Sequence, residues 1–287
     1  MTTAVSPLVG AARRRRFRTV GTTALMILVA LLWASPILLL IGTALRSGAD
    51  FLAHGPLSWP RSLTWANFRD AWSTGDFGTA FTNSALLTLV KVPLGVVLSS
   101  LLAYALAKLR LPFRRGIMFL VLLGLTMPIF IAVVPLFTML RSVHLTDNLW
   151  GLLAPYLAFG LPFQVLILES FFRKVPEDLL NAARIDGAGS LRIFLRIVLP
   201  MSLPALVTVA ILDVAATWNE LLMALVLLSS PEHRTVPLGL LNFQGQFSSN
   251  LTGLSAGVLI TIAPILLIYA CLQRWIVGGL TAGAIKE

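Results

Sequence analysis

Apolar runs long enough to cross a bilayer recur six times in this chain. They lie at about Thr19–Leu45, Phe81–Lys108, Gly116–Leu140, Leu149–Phe172, Leu203–Leu228 and Leu254–Val277. A hydrocarbon core of about 30 Å is spanned by roughly 20 residues of helix. Lipid offers no partner to a backbone N–H or C=O, and a helix satisfies both within one segment. The pattern predicts an all-α membrane protein with six transmembrane helices. Composition closes the alternatives: 57% of the 287 residues are apolar and 12% are charged, against about 25% charged in an ordinary soluble domain. A soluble enzyme, a disordered chain and a disulfide scaffold are all excluded. The single cysteine, Cys271, permits no internal disulfide and reads as a small buried hydrophobe.

Charge predicts orientation. Of the 22 Lys and Arg residues, 16 fall in the amino-terminal tail, near 108–115, within 173–200 and near the carboxy terminus. Five fall in the intervening loops, and Lys91 lies inside the second run. This asymmetry places both termini in the cytoplasm, and it accounts for the net charge of +10 without nucleic acid. The first run exceeds a signal-peptide core of about 7–15 residues, so it reads as a retained anchor. The expected organisation is a basic tail 1–18, a first transmembrane helix 19–45, an outer loop 46–80, a five-helix core 81–277 and a tail 278–287. Trp59, Trp65 and Trp72 of the outer loop suit an interfacial belt. A second long outer loop runs over 229–253.

The loop 173–200, RKVPEDLLNAARIDGAGSLRIFLRIVLP, carries the most specific local signals. Pro176 suits the first position of a helix, and Glu177 and Asp178 suit its positive end. Gly187 suits a left-handed helix exit. Ser190 is expected to cap a second helix, Leu191–Val198, with Leu191, Phe194, Leu195 and Val198 on one face. On pattern alone the loop is either an interfacial amphipathic element or a docking surface whose small residues admit a partner.

Ionisable residues inside the apolar runs are expensive and point to function. Lys91 lies near mid-membrane, and Asp213, Thr217 and Glu220 share a helix face at i, i+4 and i+7, flanked by Trp218 and Asn219. Lys91 is expected to pair with Asp213. Two readings of that stripe stand: a lining of the translocation path, or a structural contact within the bundle or with a partner. Glu169 is expected to pair with Arg173, one helical turn on. Pro36, Pro93, Pro128, Pro135, Pro155, Pro162, Pro204 and Pro264 can each kink a helix. The three His residues, His54, His144 and His233, are scattered, so no metal site is expected. No phosphate-cradling GxxxxGK[ST] loop occurs, nor any GxSxG or HExxH motif. Any energy from ATP must come from a partner.

The loop resembles the signature of ABC importer permeases, E-A-A-x3-G-x9-I-x-L-P. Here it reads Asn181-Ala182-Ala183, Gly187, Ile197, Leu199 and Pro200 at that spacing. AYALAKLRLPFRR, PEDLLNAARIDGAG, TWNELL, NFQGQ and GLTAGAIK resemble the carbohydrate-uptake branch, over roughly residues 20–287. The resemblance implies the type-I importer permease architecture in the bacterial cytoplasmic (inner) membrane. It implies a second homologous permease, two ATPase subunits that carry the ATP and Mg, an extracellular or periplasmic solute-binding protein, and a sugar as substrate. This chain itself would bind no cofactor. The implied ATPase contacts are Asn181, Ala182, Ala183, Asp186, Gly187 and Ala188. Asn181 stands where the family carries an acidic residue, and Glu177 or Asp178 can supply charge one turn earlier. The implied binding-protein contacts are Asn242, Phe243, Gln244, Gly245 and Gln246. A permease for another solute shares this fold. An ion-gradient-driven secondary transporter is a further reading, disfavoured by the lack of an evident repeat.

Overall fold

The computed structural model describes residues 8–243 and 250–284, with side chains described over 20–243 and 250–273. These residues form helices α1 (Leu8–Ala44), α2 (Gly48–His54), α3 (Ala66–Thr74), α4 (Phe77–Lys108), α5 (Arg114–Thr126), α6 (Ile129–Ser142), α7 (Leu153–Arg173), α8 (Glu177–Ile185), α9 (Ser190–Ile193), α10 (Leu199–Met201), α11 (Leu203–Trp218), α12 (Leu222–Leu227), α13 (Val236–Gly239) and α14 (Leu251–Ala284). No strand occurs among the described residues. Four helical stretches are long and apolar enough to cross a membrane: Val20–Ala44, Phe77–Lys108, Leu149–Arg173 and Leu251–Gln273. Two bent pairs bring the total to six when each is taken as one span.

Those bends correct the expectation of six unbroken helices. The third run divides at Met127–Pro128, where α5 and α6 diverge by 99°. Pro128 has no N–H for the ladder and holds the extended conformation that opens α6. The fifth run is entered through a 78° bend at Ser202, which joins Ser190–Met201 to α11, and it breaks between Trp218 and Leu222. By contrast Pro36, Pro93, Pro135, Pro162 and Pro264 lie inside helices that continue through them.

The bundle is organised around α4. Its buried residues, including Phe77, Ala80, Ser84, Leu87, Lys91, Gly95, Ser99 and Ala103, recur with the helical period. The small ones let α7 approach closely. Leu86, Val90, Leu94, Val97 and Leu101 form the exposed stripe opposite. The α11 helix packs on α4, α7 and α14, and α1 packs along α14. Met26, Leu32 and Trp33 of α1 are exposed, as suits a lipid-facing helix.

The outer segment 46–80 holds two helices where the sequence suggested a plain loop. Its organiser is Arg46, whose side chain is 1% exposed. Its guanidinium donates to the Asp50 carboxylate at 2.9 Å, the carbonyls of Gly55 and Ser58 at 2.9 and 3.0 Å, and Ser58 Oγ at 2.6 Å. This cation holds the Asp50 carboxyl below the usual carboxylate range. Asn67 then donates to the carbonyls of Ala44 and Arg46, satisfying the end of α1. Trp59 and Trp65 are exposed as expected of a belt. Trp72 is exposed as well, and one side of its ring lies 5.6 Å from that of Phe81.

The loop after α12 is pinned to the turn before α7 by Asp147. That residue sits at φ 53, a region Asp tolerates better than most side chains. Its carboxylate accepts from the Ser229 and Ser230 amides at 2.9 and 2.8 Å and from the Ser230 hydroxyl. The Ser230 hydroxyl, then the two amides, hold the Asp147 carboxyl far below its ordinary range. A depressed carboxyl stabilises the fold above its unfolded pKa of about 3.9, and that contribution fades as pH falls toward the folded value. Asp147→Ala is therefore expected to lower stability by about 1–2 kcal/mol at pH 7, with the difference from wild type shrinking below about pH 4. Urea unfolding of the detergent-solubilised protein at both pH values checks this.

Candidate functional site

Two regions gather the residues that the sequence singled out. The first is the turn built on α8. Pro176 is the cap residue before the helix, one position earlier than expected, and Glu177 and Asp178 occupy the first turn. At the exit, Gly187 adopts φ +77. The Gly187 amide donates to Arg184 O at 3.0 Å and the Ala188 amide to Ala183 O at 2.9 Å. This is the paired bonding of a Schellman exit, and it requires the left-handed residue that glycine supplies without strain.

One face of α8 is anchored and the other is free. Leu180 is fully buried in a cluster with Leu106, Leu168, Phe172 and Val198. Lys108 at the end of α4 donates to Val175 O and to Glu177 Oε1, each at 2.7 Å. Tyr104 donates to Ser190 O at 3.0 Å and packs its ring 4.9 Å from that of Phe194. Outward lie Asn181, Ala182, Asp186 and Gly187, with Ala183 and Ala188 half-buried. Ile185, not singled out beforehand, is 87% exposed beside Ala182. The amide oxygen of Asn181 accepts from Arg184 at 2.7 Å.

The helix after the turn departs from expectation. Ser190 is its first residue and caps nothing, Gly189 taking the cap position. A π-helical stretch, Phe194–Val198, follows α9. The wider turn brings Ile193, Phe194 and Val198 inward and leaves Leu191 and Leu195 outside. Glu169 does meet Arg173, and also Arg114 at 3.4 Å.

The second region lies inside the bundle. Lys91 on α4 donates to Asp213 Oδ1 on α11, both residues being buried. Two glycines make room for the pair. A Cβ on Gly160 of α7 would stand 2.9 Å from Lys91 Nζ, and one on Gly95 of α4 would stand 3.2 Å from Gln164 Nε2 and 3.4 Å from Asp213 Oδ2. Gln164 is 2% exposed. Among the described residues, neither of its amide atoms, nor Asp213 Oδ2, nor Thr217 Oγ1 has a hydrogen-bond partner. A cavity of about 140 Å³ opens beside the pair, lined by Thr217, Glu220, Tyr156 and Phe159 among others. Glu220 accepts from the Tyr156 hydroxyl at 2.6 Å and from the amides of Met223 and Ala224 at 2.8 and 3.2 Å. It thereby caps the helix that resumes after the break.

Lys91, Asp213, Thr217 and Glu220 thus share one cavity. Asn219 lines a different one, of about 340 Å³, with Trp218 and Leu240. Of the last outer loop, Asn242 bonds to Thr74 O at 3.0 Å and to Arg234 at 2.9 Å. Phe243 is buried, stacked on Phe77 at 6.4 Å. Gln244, Gly245 and Gln246 lie outside the described residues. Sequence reasoning overlooked Gln164, a polar residue in an apolar run and hence a signal of the same kind as Lys91. The anchoring by Lys108 and Tyr104 has no local signal, because both act across more than 60 residues.

The family described as "binding-protein-dependent transport system inner membrane component" matches residues 95–281. The chain is 37% identical over 229 residues to the trehalose transport system permease protein SugB of Mycobacterium tuberculosis, covering 79% of this chain and 84% of that one. It is 34% identical over 274 residues to the diacetylchitobiose uptake system permease protein NgcG of Streptomyces coelicolor, covering 95% and 90%. Among solved structures it is similar to a chain of a bacterial ABC transporter involved in the import of alginate, with a TM-score of 0.77, 23% identity and coverage of 95% and 99%. That likeness shows the fold.

The buried pair generates a sharp expectation. Removing one partner strands a charge, so Asp213→Leu alone is expected to cost about 3–5 kcal/mol, whereas Lys91→Met with Asp213→Leu recovers most of it. Thermal unfolding of the two variants in detergent checks this.

Proposed function

We propose a function that proceeds from one premise: this chain belongs to the family of binding-protein-dependent transport system inner membrane components. It is a membrane-spanning ABC importer permease subunit, and its cargo is a sugar. The names of its relatives support that cargo: trehalose for SugB and diacetylchitobiose for NgcG. The chain lies in the bacterial cytoplasmic membrane with both termini cytoplasmic, supported by the bias of Lys and Arg. It works with a second permease, two ATPase subunits and an external solute-binding protein. ATP and Mg act on the ATPase subunits.

The observation that carries this reading is the two-faced helix α8. Its inner face is locked to α4 and α7 through Leu180 and Lys108. Its outer face offers Asn181, Ala182, Ile185, Asp186 and Gly187. A short helix rigidly tied to the bundle and presenting small and apolar side chains is suited to transmit displacement from a docked ATPase. With Ala183 and Ala188 alongside, these residues form the docking surface. Asn181 engages Arg184 rather than an outside cation, so the charge of this surface is set by Glu177, Asp178 and Asp186.

The stripe of Lys91, Asp213, Thr217 and Glu220, with Asn219 on its flank, borders the translocation path. Outside, the loop 229–253 meets the binding protein through Asn242 and the segment Gln244–Gln246. Phe243 serves that contact as the buried anchor of the loop.

Ile185→Cys in a Cys271→Ser background is expected to crosslink to the ATPase subunit in membranes. Labelled disaccharide uptake is expected to stop on ATP depletion with proton and sodium gradients intact. Uptake that persists under depletion would refute the reading. Asn181→Glu is expected to retain uptake within about twofold of wild type, since a Glu–Arg184 pair on an exposed helix is worth only about 0.5 kcal/mol. Complete loss of uptake would show that α8 docks in another way.

A further inference from the structure

We propose that the cavity beside Lys91 and Asp213 is a subsite for one neutral sugar ring, so that this chain touches the transported solute directly. The inference rests on the sugar-import reading above and adds a location and a charge preference to it. Three observations support it.

The first is unmet hydrogen-bonding capacity. Thr217 is 7% exposed, lines the cavity, and its hydroxyl has no partner among the described residues. A buried polar atom without a partner costs free energy, and such atoms in native proteins are normally paired. Lys91 spends one of its three N–H groups on Asp213 and lines the same cavity. A polyhydroxylated molecule supplies both donors and acceptors for this wall.

The second is the division of the lining. Beside the polar residues, Phe159, Ile129 and Met223 give the lining an apolar part. A pyranose ring has the same two-sided character, with a face of C–H groups and a rim of hydroxyls. A cavity of about 140 Å³ has room for one six-membered ring, given that an apolar cavity of about 150 Å³ takes up benzene. The remaining rings of a longer saccharide lie outside it.

The third is charge. Lys91 and Asp213 neutralise each other. Glu220 accepts three hydrogen bonds as a carboxylate and adds a negative wall. An anionic ring would meet like charge from Glu220. The site therefore favours neutral rings over uronic acids.

The test uses cells in which the chain works with its own partners, supplied with labelled trehalose, melibiose and diacetylchitobiose. Wild-type cells that accumulate none of these would overturn the sugar reading and this inference with it. With a transported disaccharide in hand, Thr217→Val is expected to raise the KM of uptake about fivefold to tenfold, the worth of a lost hydrogen bond. Thr217→Ser is expected to restore it. Ala216→Phe, which places a ring in the cavity while leaving Lys91 and Asp213 in the sequence, is expected to reduce uptake more than about tenfold at equal membrane abundance. KM values within twofold of wild type for both Thr217→Val and Ala216→Phe would overturn the subsite while leaving the importer reading intact. A merely structural hydroxyl would lower abundance or maximal rate and leave KM unmoved, which also overturns it.

Discussion

Hydrocarbon cannot hydrogen-bond to a peptide group, and the rest of this structure follows from that. Every helix end placed at membrane depth needs a partner from within the protein. The break after Trp218 illustrates the solution. Glu220 turns back to accept from the Met223 and Ala224 amides, and Tyr156 from α7 completes its shell. A residue that looks like a charge aimed at a substrate path is, in its bonding, first a helix cap. The same logic governs the end of α1, where Asn67 reaches back to the carbonyl of Ala44, its last residue, and to that of Arg46 just beyond.

The same constraint makes the Lys91–Asp213 pair informative. Two charges removed from water need each other, and the two glycines at 95 and 160 keep the space for them free of Cβ atoms. Around the pair the bonding is incomplete: Gln164, Asp213 Oδ2 and Thr217 all retain capacity. Around Arg46, by contrast, the guanidinium is surrounded by acceptors. The polar hub at Arg46 is closed by its own segment, whereas the one in the bundle keeps unused donors and acceptors.

Force transmission rests on a different economy. The α8 helix has nine residues, too few to persist alone in water. Leu180, Lys108 and the Schellman exit at Gly187 hold it in shape. The π-helical stretch that follows rotates the apolar face so that Phe194 and Val198 meet Tyr104 and Phe172. These contacts tie α8 to α4 and α7, the two helices that carry Lys91 and Gly160.

Much was legible in the residues themselves. Apolar runs specify helices because the backbone in lipid has one local solution. The Asn181–Pro200 signature and Gly187 mark the turn after α8 because a left-handed exit needs glycine. Lys91 and Asp213 could be paired on paper because each is too costly to leave alone. What only the tertiary structure decided were relations between distant segments: the 99° break at Pro128, the inward turn of Phe243 onto Phe77, the anchoring of α8 by Lys108, and the capping role of Glu220. Local patterns record what a residue prefers in water or lipid. Which neighbour meets that preference is settled by packing, and packing joins residues that the sequence keeps far apart.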